Sequence, residues 1–323
     1  LDPVMRQAVK SIFASEIMSR EFTPVIASHN LRELEDICDH IGLLHQGGIL
    51  LSRDLEDMKF HIHKIQCVLT DKKKEEELKK ELDIQISYSF GQTANMVNVL
   101  SKYHDKTWAG IRGYGALDNY RQMQFVCKRA DRMVSCTKVM EQEIEQSYPV
   151  KNSATLYNPC NLDEINVLSR EKIDEKIEAF LQKTGPTIVS MGRAHDVKGF
   201  WHLIKAVKLV KNKVPHVKLM IIGDGDYSMY QKLAQELGIE EQVLFTGVQM
   251  NPFALLAKAD VYALTSDSEG FPNALIEAMA VGLPCVSVNC KTGPAEILQN
   301  DYQQCAAQDK VYHADYGILT PVF

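Results

Sequence analysis

The sequence predicts an α/β fold in which parallel sheets are covered by helices on both faces. Short apolar runs alternate with stretches of helical periodicity from residue 83 onward, and strands joined through helices pair in parallel because the crossover needs a dozen or more residues. The composition, 45% hydrophobic against 24% charged, supplies enough apolar material for packed cores and excludes a disordered or collagen-like chain. With 323 residues, two domains of ordinary size are expected.

Charge and cysteine usage narrow the class further. Thirty-six Lys and Arg against 42 Asp and Glu leave a net charge of −6, so the global basic field that nucleic acid would require is absent. No apolar run approaches the roughly 20 residues of a membrane-spanning helix, and no secretory leader is visible at the first residues. The chain opens on Leu1 rather than Met, as though cut from something longer. Its eight cysteines form no C-x-x-C pair and no zinc-finger spacing with His. They are expected to behave as small buried hydrophobes in a reducing compartment, with no structural metal.

Element by element, residues 6–18 read as a helix, 23–27 as a strand and 30–40 as a second helix. Residues 41–44 then turn through Gln46-Gly47-Gly48 into 49–51, a hairpin signal because paired glycines accept the positive φ of a tight turn. Residues 71–82 form a charged stretch with Lys72/Glu76 and Glu75/Lys79 at i,i+4 spacing, expected as a solvated helix or linker. The main boundary is placed there, between about 68 and 74. Next come a strand at 84–87, a helix at 94–102, a strand at 107–111, a helix at 119–129, a strand at 132–136, a helix at 138–146 and a strand at 154–157. After a helix at 171–183, strands at 187–191, 217–222, 243–245, 260–264 and 284–288 alternate with helices at 200–210, 227–237, 252–257 and 273–281.

The first seventy residues carry Leu1-Asp2-Pro3, then Ala27-Ser28-His29-Asn30, then Cys38-Asp39-His40-Ile41 and Leu43-Leu44-His45-Gln46-Gly47-Gly48. This run resembles the carboxyl-terminal end of an ABC-transporter ATPase. The resemblance implies that Asp2 is the D-loop aspartate and His29 the histidine that reaches the ATP γ-phosphate. ATP binding in that family also needs a G-x-x-x-x-G-K-[ST] loop to cradle the phosphates, and no such string occurs in this chain. ATP hydrolysis is therefore not expected of it.

The second constellation lies at 186–297. The strand at 187–191 ends in Gly192-Arg193, followed by Lys198-Gly199 and a helix. Parallel sheets bind ligands at the carboxyl ends of their strands, where Gly192 allows a tight turn and two cations suit a diphosphate, Arg193 as a fork and Lys198 as a point charge. Further on, Ser266-Asp267-Ser268-Glu269-Gly270-Phe271-Pro272-Asn273-Ala274-Leu275-Ile276-Glu277 spaces two glutamates eight apart around a helix start. The backbone amides of Phe271, Pro272's successor Asn273 and Ala274 fall at that start and are expected to offer an anion site.

Together these residues resemble the E-x7-E signature of family-four retaining glycosyltransferases, which have the GT-B fold. The match extends through Ile222-Gly223-Asp224-Gly225, Phe245-Thr246-Gly247, Ala259-Asp260-Val261 and Gly282-Leu283-Pro284, and spans about 74–323. The resemblance implies a pair of Rossmann-type lobes that transfer a sugar from a UDP- or GDP-sugar to a glycan or lipid-linked acceptor with retention of configuration. It implies that Arg193 and Lys198 hold the diphosphate and, with Glu269 facing the donor sugar, form the catalytic set. Glu277 would bind ribose and the backbone around Val248 the base, with Gly192 and the residues from Phe271 and Pro272 to Asn273 and Ala274 lining the donor site. Asp224-Gly225-Asp226 has the form of a metal-binding D-x-D, but the family uses its G-D-G as a turn, so neither metal nor cofactor is expected. Where many members carry an amino-terminal His, this sequence offers Arg112 as the candidate.

The expected organisation is thus an ABC ATPase fragment at 1–70, a charged helix or linker at 71–83, a partial amino-terminal acceptor lobe at 84–165 and a truncated donor-binding lobe at 166–323. The leading expectation is a truncated or chimeric glycosyltransferase, cytoplasmic, with peripheral contact to the inner face of the membrane allowed. Two alternatives stand beside it. One is an ATP-binding remnant of a transporter, and the other is a non-catalytic module that binds nucleotide sugar.

Overall fold

A computed structural model describes residues 40–45, 48–54, 72–305 and 310–322. The chain divides into two compact units, residues 1–68 and 69–323. In the first, β1 (His40–His45) and β2 (Gly48–Asp54) pair antiparallel, the hairpin that the paired glycines predict. Asp2, His29 and the elements expected before residue 40 lie outside the described residues.

The second unit holds two sheets. The smaller has four parallel strands in the order β3 (Ile86–Phe90), β4 (Lys106–Ile111), β5 (Arg132–Ser135) and β6 (Ser153–Thr155). Helices α1 (Lys72–Glu81), α2 (Gln92–Leu100), α3 (Tyr120–Arg129) and α4 (Lys138–Ser147) accompany it. Its core gathers Met123, Val126, Met133, Met140 and Ile144, each at 3% exposure or less.

Helix α1 corrects one expectation. The Glu75–Lys79 pair forms at 3.9 Å, but Lys79 is buried, not solvated. Its ammonium donates to Asn98 Oδ1 at 2.7 Å and pairs with the buried Asp105 at 3.2 Å. A charge is tolerated inside a protein only when paired and hydrogen-bonded, so α1 is anchored to this lobe and is not a linker.

The larger sheet is built from β7 (Thr187–Met191), β8 (Lys218–Ile222), β9 (Val243–Gly247), β10 (Val261–Leu264), β11 (Cys285–Val288), β12 (Tyr312–Ala314) and β13 (Gly317–Thr320). Their order is β12-β13-β11-β10-β7-β8-β9, parallel throughout except for β12 against β13. Separate apolar clusters pack on its helices, one around Tyr262, Leu275 and Ala278 and one around Phe200, Ile204 and Val207. Helices α5 (Leu162–Leu168), α6 (Glu175–Gln182), α7 (Phe200–Lys211), α8 (Ser228–Glu236), α9 (Phe253–Leu256), α10 (Asn273–Ala280) and α11 (Pro294–Leu298) complete the unit. Helix α6 starts four residues later than periodicity suggests, because the Asp174 carboxylate accepts from the amides of Lys176 and Ile177 and so fixes the cap.

The strand order places the site. From β7 the chain runs outward through β8 and β9, then returns to lay β10 on the other side of β7. Neighbouring loops at this reversal leave in opposite directions and open a crevice at the carboxyl ends of the strands, where open α/β sheets take ligands.

Candidate functional site

Both halves of the predicted constellation reach this crevice. The loop after β7 carries Gly192, Arg193 and Lys198, and the loop after β10 carries Glu269. Lys198 Nζ lies 2.7 Å from Glu269 Oε1, with both side chains largely buried. The lysine stem crosses Gly192, where an added Cβ would sit 3.2 Å from Lys198 Cδ. Gly199 follows in the left-handed region at φ +60, and a Cβ there would fall 2.2 Å from the Thr265 carbonyl oxygen. The two loops are therefore in backbone contact, reinforced by Thr265 Oγ1 donating to the Lys198 carbonyl at 3.0 Å and Asp267 N donating to the Val197 carbonyl at 2.9 Å.

Arg193, on the same loop as Lys198, is exposed and forms no ion pair among the described residues. Val248, next to Gly247 at the end of β9, is 64% exposed.

Helix α10 begins at Asn273 with Pro272 as its cap, and Pro272 supplies no side-chain acceptor. One turn in, Glu277 is half-buried, and burial raises its carboxyl above the usual carboxylate range. Glu277, Asn273 and Ile276 line a cavity of about 220 Å³ closed by Pro159, Cys160, Asn161, Glu164, Ile165 and Phe253. The carboxyl oxygens of Glu277 in this concave site can accept hydrogen bonds from ligand hydroxyls. Pro272 is buried, Ala274 half-buried, and Phe271 stacks on Tyr157 with ring centroids 4.9 Å apart.

Aspartates 224 and 226 serve the backbone. Asp224 Oδ1 accepts from Gly225 N at 2.8 Å and Asp226 Oδ1 from Ser228 N at 2.9 Å. The Gly223 backbone at φ +150 leaves no room for a side chain, since a Cβ would fall 1.9 Å from the Gly192 carbonyl oxygen. This close turn supports the floor under Gly192.

Several participants are not legible in the sequence. Asn158 Nδ2 donates to the Phe271 carbonyl at 3.2 Å and to Asn273 Oδ1 at 2.5 Å. Arg112 donates to Asn158 Oδ1, so the residue expected in place of an amino-terminal His reaches the start of α10 through an asparagine. The cavity wall from Pro159 to Ile165 reads in sequence only as a turn. The Tyr262 side chain is fully buried, and burial together with Glu269 pushes its pKa far above normal. Among the described residues, Cys127, Cys136, Cys285, Cys290 and Cys305 are buried and Cys160 is half-buried, with burial raising Cys136 to about 11 and Cys290 to about 12; Cys38 and Cys67 lie outside the described residues.

Residues 171–314 match the profile of the glycosyl transferases group 1 family. An uncharacterized glycosyltransferase of Methanocaldococcus jannaschii is 34% identical over 203 residues, 62% of this chain and 50% of that protein. A Campylobacter jejuni N-acetylgalactosamine-N,N'-diacetylbacillosaminyl-diphospho-undecaprenol 4-alpha-N-acetylgalactosaminyltransferase is 30% identical over 191 residues, 58% of this chain and 49% of that protein. The chain thus spans about half the length of the curated relatives it matches. Among solved structures, Anabaena HepE in complex with UDP superposes with a TM-score of 0.62 at 19% identity, covering 77% of this chain and 68% of the other. Sucrose-phosphate synthase from Thermosynechococcus elongatus gives 0.61 at 15%, covering 78% and 64%. The fold is GT-B-like.

Proposed function

We propose that this chain binds a nucleoside-diphosphate sugar in the crevice between β7 and β10 and transfers the sugar, with retention, to a glycan or lipid-linked hydroxyl. The observation that carries the reading is the Lys198–Glu269 pair at the sheet's reversal point, beside the unpaired Arg193 and the half-buried Glu277. In transfer, the bond from sugar C1 to the diphosphate oxygen breaks, a bond from C1 to the acceptor oxygen forms, negative charge collects on the departing diphosphate, and the acceptor hydroxyl's proton passes to that diphosphate oxygen. Fixed cations aimed at that charge stabilise the transition state more than the ground state. Arg193 and Lys198 supply them, Glu269 faces the sugar and Glu277 takes the ribose hydroxyls. The amides of Asn273 and Ala274 add a helix-start anion site, and the backbone at Val248 meets the base.

HepE is described in complex with UDP, and the Campylobacter relative's name includes a diphospho-undecaprenol acceptor. Both favour a uridine diphosphate donor and a glycan or lipid-linked acceptor for this chain. The ABC ATPase resemblance of residues 1–70 makes the chain a chimera within this reading.

A thermal-shift titration tests it. UDP or GDP should raise the melting temperature in wild type and lose that effect in Arg193→Ala and Glu277→Ala. Stabilisation by ATP instead, abolished by His29→Ala, would favour the transporter-remnant reading. Nucleotide binding with neither donor hydrolysis nor transfer would leave a binding module.

A further inference from the structure

Residues 291–296 belong to the lobe of the larger sheet, yet grip the smaller lobe at both ends. Lys291 Nζ lies 2.8 Å from Glu143 Oε2 and 4.4 Å above the Tyr114 ring. Tyr114 in turn donates its hydroxyl to Glu143 Oε1 at 2.8 Å. At the other end, Glu296 Oε2 accepts from Lys138 N at 2.8 Å and Oε1 from Val139 N at 3.0 Å. The Tyr157 hydroxyl donates to the same carboxylate at 3.0 Å.

Those two amides open helix α4. Its own cap, Thr137, takes only the third, accepting from Met140 N at 3.2 Å through Oγ1. The first amides of a helix have no intrahelical acceptor, and a carboxylate there also meets the positive end of the helix dipole. Glu296 therefore completes, from the opposite lobe, a cap that α4 cannot complete itself.

Between its two ends the segment holds the donor loop. The Thr292 hydroxyl donates to the Glu269 carbonyl. Gly293, at φ +96, packs so closely that a Cβ would fall 2.5 Å from Pro272 Cδ and 2.7 Å from the Gly270 carbonyl oxygen. Six residues thus touch both helix α4 and the loop that carries Glu269.

We propose that Glu296 is a positioning residue that ties helix α4 of the smaller lobe to the Glu269 loop, so that docking of the lobes and placement of Glu269 occur together. What Glu269 does rests on the proposed function; the tie itself does not.

The experiment uses the full chain with Glu296→Ala and Glu296→Gln. Amide hydrogen exchange should speed up at Lys138 and Val139 by about tenfold or more in the alanine variant, as loss of a charge-assisted hydrogen bond entails. Exchange at 269–271 should rise with it, and the glutamine variant, keeping one acceptor oxygen, should fall between. Unchanged exchange at Lys138 and Val139 overturns the tie. Faster exchange there with 269–271 unaffected overturns the coupling. If Glu296→Ala does not fold, Glu296→Gln and Lys291→Met carry the same measurement.

Kinetics supply the second readout. The UDP midpoint should stay within about twofold, because Arg193, Lys198 and Glu277 are untouched, whereas kcat for transfer should fall about tenfold or more with donor KM little changed. Equal loss of UDP binding and kcat would overturn the positioning role. If wild type transfers no sugar from UDP or GDP donors, the proposed function fails, and the exchange result still decides the tie.

Discussion

Lys198 and Glu269 form an ion pair across the two loops that meet at the sheet's reversal point, their charged atoms 2.7 Å apart. Each residue is drawn toward the other before any ligand arrives. A diphosphate entering beside Arg193 would compete with Glu269 for the Lys198 ammonium, which makes the lysine a shared counter-ion and sets up the first prediction.

Lys198→Ala should weaken UDP binding by about 10- to 100-fold, the range expected when a charge-assisted hydrogen bond worth about 1.5–3 kcal/mol is lost. Glu269→Gln should leave UDP affinity equal or tighter, since it frees the lysine, yet lower transfer by about two orders of magnitude or more if the carboxylate stabilises the reacting sugar. Isothermal titration and initial-rate assays check the pair. A parallel fall of both parameters in Glu269→Gln would contradict this division of labour.

Glu277 predicts a pH effect. Its folded-state pKa is raised by burial, so the fold favours the protonated acid. The associated stability is full below the unfolded value near 4.3 and is lost as pH rises through the higher folded value. Glu277→Gln should therefore melt roughly 1–4 °C higher than wild type at pH 8, with the gap closing near pH 4.5. The same variant should bind UDP more weakly. A melting-temperature series in pH, with and without UDP, measures both.

Gly199 is confined by backbone. With φ +60 and the Thr265 carbonyl oxygen 2.2 Å from where a Cβ would lie, Gly199→Ala should cost about 1–3 kcal/mol through strain and displaced chain. The displacement would pull Lys198 from Glu269. Urea unfolding should show the loss of stability, and UDP should shift the melting temperature less than in wild type.

Lys79 offers a test away from the site. Burial alone would raise the Asp105 carboxyl, but the Ser87 hydroxyl, the Tyr103 amide and Lys79 outweigh it and hold it below the usual range. Lys79→Met strands that buried carboxylate and should destabilise the protein by about 3–5 kcal/mol. In wild type this contribution is present above the unfolded pKa and fades as pH falls through the lower folded value. Urea midpoints at pH 7 and pH 3.5 should therefore differ less in Lys79→Met than in wild type.

The larger sheet is readable because most of its strands are predominantly apolar and its turns carry glycines. Residues 187–191 form a strand at the predicted bounds, and the glycines at 199 and 223 mark backbone approaches that admit no side chain. The site loops were readable for the same reason. Capping was harder to see. Helix α5 is held by Asn161 accepting from Glu164 N at 3.2 Å, and seven residues give too little periodicity to reveal it. The β12–β13 hairpin was missed because a three-residue strand has almost no alternation to detect. Contacts between lobes were invisible, since Glu296 and Lys138 stand 158 residues apart. The burial of Lys79 is not legible because i,i+4 spacing reports neighbours on one helix and nothing of what lies across from it.

One contact between the lobes is made of backbone alone. Gly113 and Gly270 form an antiparallel bridge, and a Cβ on Gly270 would sit 2.1 Å from the Arg112 carbonyl oxygen. Such a junction has no knob to withdraw from a hole. Beside it the Phe271 ring packs against the apolar core of the smaller lobe, so a buried ring holds the seam together with the ionic and capping contacts, and only the latter answer to salt and pH.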